Sequence, residues 1–70
     1  MEQREAIRQM QELGRESGKR FPGNFFAQWQ WVLGQLEKRP ELCEYMLHND
    51  PKDDAALAEE MTAAGELQWP

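Results

Sequence analysis

Few side chains in this 70-residue chain could do covalent chemistry: Cys43 is the only cysteine and His48 the only histidine. A thiol activated by an imidazole needs the two within hydrogen-bond reach. Their spacing on a helix separates them by about 140° at ~100° per residue, so local structure does not pair them. Cys43 reads instead as a small core residue and His48 as a residue closing a helix C-terminus. One cysteine and one histidine cannot complete a four-ligand zinc site without carboxylates, and neither a CxxC nor an HxxxH is present. Asp50, Asp53 and Asp54 lack the central glycine and the terminal glutamate of a calcium loop. They stand where a helix N-terminus favours negative charge. Gly14, Gly18 and Gly23 follow no phosphate-loop fingerprint. The expectation is a chain with no cofactor, no metal and no catalytic function.

What remains is binding chemistry. Arg4, Arg8 and Arg15 form one row on a helix, with Lys19 and Arg20 just beyond it. That row suits a phosphate backbone. The plainer and favoured reading is a solvated face laced by pairs such as Glu5 with Arg8 and Glu12 with Arg15, each worth ~0.2 to 0.5 kcal/mol. A different signal comes from Trp31. The stretch 24–38 places Phe25, Phe26, Trp29, Val32, Leu33 and Leu36 within about 120° of arc at ~100° per residue, and Trp31 points the other way among Ala27, Gly34, Gln35 and Lys38. Two readings stand side by side: Trp31, Gln35 and Lys38 form a partner surface, where tryptophan is enriched, or Trp31 is covered by the first helix or by the C-terminal tail. That tail carries Leu67 and Trp69. It is expected either to dock on the bundle or to contact a partner through Trp69.

The elements that position these residues are legible from punctuation. Ala, Glu, Gln, Leu and Met abound while valine and isoleucine occur once each, as Val32 and Ile7, which argues for helix over strand. A first helix over residues 2–17 has a thin apolar stripe of Ala6, Ile7, Met10 and Leu13, and Gly18 is its expected stop. Pro22 and Gly23 break the chain and Asn24 caps a second helix, with Phe21 placed to staple its first turns. Arg39 before Pro40 ends that helix. Pro40 opens a third helix to His48, with Leu42, Cys43 and Met46 on one side. Asp50 and Pro51 open a fourth, whose stripe is Leu57, Met61 and Ala64 and whose stop is Gly65. The fold class is therefore all-α, a single domain over residues 1–70: a small bundle of three to four short helices around the aromatic-rich helix at 24–38, with a short C-terminal tail.

Charge is split along the chain. Residues 1–20 hold five basic and four acidic groups, and residues 37–70 hold three basic and nine acidic groups, for a net charge of −5. The acidic half favours basic partners over nucleic acid. No apolar run approaches a membrane span. A lone cysteine with no apolar leader points to a reducing cytoplasm. These features together predict a non-catalytic protein–protein interaction module, an adaptor, inhibitor or assembly factor binding a larger and preferably basic macromolecule. The alternative is a small helical DNA- or RNA-binding regulator working through the basic row of the first helix. So short a chain is near the size at which a second copy often completes the core, so a homodimer is among the expected partners.

Overall fold

A computed structural model describes residues 1–67 of the chain. They form four helices in order, α1 (Gln3–Arg20), α2 (Phe25–Glu37), α3 (Pro40–His48) and α4 (Pro51–Ala63), and among the described residues there is no strand. The fold is all-α, as the composition requires.

The helix ends follow from local chemistry. Glu2 caps α1, its carboxylate accepting the N–H groups of Arg4 at 2.9 Å and Glu5 at 3.2 Å. The Arg4 N–H is the main reason that this carboxyl lies below its ordinary pKa of 4.5. Asn24 Oδ1 accepts the Ala27 N–H at 3.1 Å and Asp50 Oδ1 the Lys52 N–H at 2.9 Å, each satisfying a donor that the helix leaves unpaired. Pro40 and Pro51 occupy first helical positions. At the end of α4, Gly65 takes φ 77°, so that its N–H reaches Thr62 O at 3.1 Å and the Glu66 N–H reaches Met61 O at 2.8 Å. This is the paired bonding of a Schellman motif. The expected stop at Gly18 is not observed, because α1 runs on to Arg20 and closes with the Phe21 N–H on Ser17 O at 3.0 Å. A glycine ends a helix only where the chain turns left-handed, and here that happens at Gly23, with φ 73°.

The hub of the bundle is α1, not the aromatic-rich helix. Its stripe is thin but is used from two sides. Ala6 and Leu13 meet Leu42 of α3 in one buried cluster, edged by Met10, Trp31, Leu36 and Tyr45. Ile7 meets Met61 of α4 and Leu67 in a second, edged by Met10, Leu57 and Ala58. Met10 belongs to both, so one unbranched side chain joins the two halves of the core. A polar clasp ties the helices together as well. Asp54 Oδ1 accepts from the Tyr45 hydroxyl at 2.8 Å, Asn49 Nδ2 at 2.6 Å and Gln3 Nε2 at 3.2 Å, linking α4 to α3, its following turn and α1.

Several expected core residues lie elsewhere. Cys43 is exposed, as are Met46 and Ala64. α3 docks through Leu42 and Tyr45, which rolls Cys43 outward, while Ala64 is the C-terminal cap of α4 rather than part of its stripe. The largest departure is α2, which buries none of its residues fully.

Candidate functional site

The roll of α2 is set where it leaves α1. Residues 21–24 make the turn, and Gln28 Nε2 donates to Phe21 O at 2.8 Å, drawing that side of α2 against the end of α1. Trp31 and Gln35 follow Gln28 at helical spacing and share its side. Trp31 therefore packs against the Ala6–Leu13–Leu42 cluster, and the Arg20 guanidinium lies over its ring, 5.0 Å from the centroid, as a cation–π contact. The narrow stripe of α1 takes one large ring and Leu36 from α2. It has no room for Phe25, Phe26, Trp29 and Leu33.

Those four residues are consequently the exposed apolar part of α2, while Val32 is half-buried. Phe25 is 82% exposed, Phe26 66%, Trp29 60% and Leu33 40%. Gln30 and Glu37 share the outward side and are exposed too. No formal charge falls between residues 21 and 36, so the face is aromatic and uncharged except for Glu37 at its end. Exposed apolar patches of this kind mark contact surfaces more often than solvated ones. Phe25, Phe26, Trp29 and Leu33, read from periodicity as core, are thus the candidate site, and Trp31, for which a partner surface and cover by the first helix stood side by side, is on the docked side. One signal pointed this way. Six large side chains on one arc exceed what the thin stripe of the first helix can cover, although the sequence leaves open that a second neighbour covers the rest.

The other expected site residues are placed as follows. Gln35 is half-buried beside Trp31 and Lys38 is exposed at the C-terminal cap of α2. Trp69 lies outside the described residues. In the basic row, Arg4 Nη1 is 2.6 Å from Glu66 Oε2 and Arg8 Nη2 is 3.2 Å from Glu66 Oε1, so one carboxylate just past α4 holds both arginines. Arg8 also faces Glu5 at 3.7 Å and Lys19 faces Glu16 at 3.9 Å. Arg15 is half-buried, and Arg20 is on Trp31. The row is engaged inside the molecule rather than aligned along a free face.

Cys43 and His48 are both exposed on α3, and among the described residues no three His, Cys, Asp or Glu side chains converge as metal ligands would. An open groove of about 530 Å³ lies between α1 and α4, lined mainly by Ile7, Met10, Ala55, Ala58 and Leu67 with Arg15 and Asp54. Asp54 is committed there to the clasp with Tyr45 and Asn49. No helix among the described residues is long and apolar enough to cross a membrane. Comparison with protein-family models, curated proteins and solved structures finds no match.

Proposed function

We propose that this chain is a non-catalytic protein–protein interaction module and that the outer face of α2 is the surface it presents. The observation that supports this is the inversion of α2: Phe25, Phe26, Trp29 and Leu33 stand in solvent on a face whose one charge is Glu37 at its end. Leaving three aromatic rings in water forgoes the largest hydrophobic contribution available to a chain this size. A polypeptide that covers the face recovers it, and aromatic side chains are the usual anchors of such contacts. The nucleic-acid alternative gains no support, since Arg4 and Arg8 are turned to Glu66.

The test is affinity capture from the native host with the full chain and with the double variant Phe26→Ser/Trp29→Ser. Because both side chains are exposed in the folded chain, the variant should keep its helical circular dichroism. Polypeptides retained by the wild type should fall by about tenfold or more on the variant, as expected when two anchors are removed. An unchanged set of retained polypeptides would remove the α2 face from the interface.

A further inference from the structure

We infer that the occupant of the α2 face is a second copy of this chain, laid antiparallel against the first about a two-fold axis that passes between Trp29 and Gln30. This rests on the reading of α2 as the contact surface and names what covers it.

The first support is area. Phe25, Phe26, Trp29 and Leu33 are 82%, 66%, 60% and 40% exposed, which at about 150–250 Å² for a whole aromatic side chain comes to about 400–600 Å² of apolar surface. Two copies covering one another would bury about 800–1,200 Å², which reaches the lower edge of the standard range for specific interfaces. The second support is the core. Its fully buried apolar residues among the described ones are Ala6, Ile7, Leu13, Leu42, Met61 and Leu67, with no aromatic ring. A face richer in aromatics than the core behind it resembles half of a core, as in obligate homodimers.

Charge on the face permits a copy and sets its direction. Two chains of net charge −5 repel, yet the α2 face lets them meet with no like charges opposed, because residues 21–36 carry none. Glu37 is the one charged group on the outward side. It sits at the C-terminus of its own helix, where the dipole disfavours it, and the first turn of α2 holds no acidic residue. In a parallel pair the two Glu37 carboxylates would face one another. In the antiparallel pair each comes alongside the first turn of the other α2, where negative charge is favoured. With α2 spanning about 20 Å, the same two-fold places Phe26 against Leu33 of the other copy and brings the two Trp29 rings together at the centre, an isologous contact.

Sedimentation equilibrium on the purified full chain, from low to high micromolar, decides the matter together with directed crosslinking. Wild type should sediment at twice 8.2 kDa. Phe26→Ser/Trp29→Ser should raise the dissociation constant by about a hundredfold or more, since each truncated anchor is lost from both copies, with circular dichroism showing the helices intact. In a Cys43→Ser background, Gln30→Cys, near the axis, should oxidise to a covalent dimer, and Glu37→Cys, far from its counterpart, should not. A wild-type monomer throughout, or a dimer indifferent to the double variant, would overturn the inference. Crosslinking through Glu37→Cys but not Gln30→Cys would overturn the antiparallel arrangement. Should the chain prove monomeric while capture from the host still depends on Phe26 and Trp29, the self-pairing fails and the interaction module stands. Should neither assay depend on them, both fail.

Discussion

At the scale of single residues, two tryptophans two positions apart have opposite roles. Trp31 packs on the core under Arg20, whereas Trp29 is largely in solvent. Trp31→Ala should therefore cost roughly 2–4 kcal/mol of stability, somewhat less than a fully buried ring. Trp29→Ala, compared at protein concentrations low enough to keep the chain monomeric, should stay within about 0.5 kcal/mol of wild type. Urea titrations of the two variants read the difference directly, and equal losses would mean that α2 is docked by another face. Tyr45 makes the second residue-scale prediction. Burial first, then its hydrogen bond to Asp54 and that carboxylate's charge, push the phenol up to about 12 from 10.0. The neutral phenol is the favoured form in the fold. Its contribution is therefore complete below the unfolded value and is lost as the pH climbs from about 10 towards 12. Tyr45 is the only tyrosine, so the tyrosinate absorbance reports it alone. The midpoint should fall in Asp54→Asn, and a midpoint unmoved by that substitution would leave the clasp without an energetic role.

At the scale of elements, the helices are held by their ends and by one thin shared stripe. Gly18 and Gly65 show how position decides the effect of a glycine. Gly18 lies inside α1, and a Cβ there would meet nothing within 4 Å. Gly18→Ala should accordingly stabilise the chain by about 0.5–1 kcal/mol through helix propensity. Gly65 holds the left-handed turn that closes α4, so Gly65→Ala should destabilise it by about 1 kcal/mol or more. Thermal melts separate the two in sign, with about 4–8 °C for each kcal/mol in a domain of this size. A destabilising Gly18→Ala would indicate that α1 ends near Gly18, as its sequence first suggests.

At the scale of the whole molecule, the chain is two small clusters joined through α1, with its most aromatic helix turned outward. The fully buried side chains are few and of modest size, which leaves little hydrophobic free energy to set against the entropy of ordering the chain. Polar ties between distant parts carry a share of the specificity: Asp54 collects donors from α1, α3 and the turn before α4, and Glu66 ties residues after α4 to Arg4 and Arg8. The two ion pairs with Glu66 are substantially exposed and contribute little individually. The clasp at Asp54 is half-buried and matters more.

The sequence by itself determined the type of the elements, their number to within one, and most of their boundaries. Asn24, Pro40, Asp50, Pro51 and Gly65 act on their own turn of chain, so their effect does not depend on what packs nearby. It also identified the thin stripe of α1 and the wide arc of α2 as the two unusual features. Only the tertiary structure decided which side of α2 meets α1. A helical arc records which residues share a side but not which side finds room. The short turn at 21–24 and the Gln28 bond to Phe21 O fix that choice, and a stripe as narrow as Ala6, Met10, Leu13 and Ser17 accepts Trp31 but not the arc of Phe25, Phe26, Trp29 and Leu33. Phe25, Phe26, Trp29 and Leu33, read from periodicity as core, are for that steric reason left in solvent.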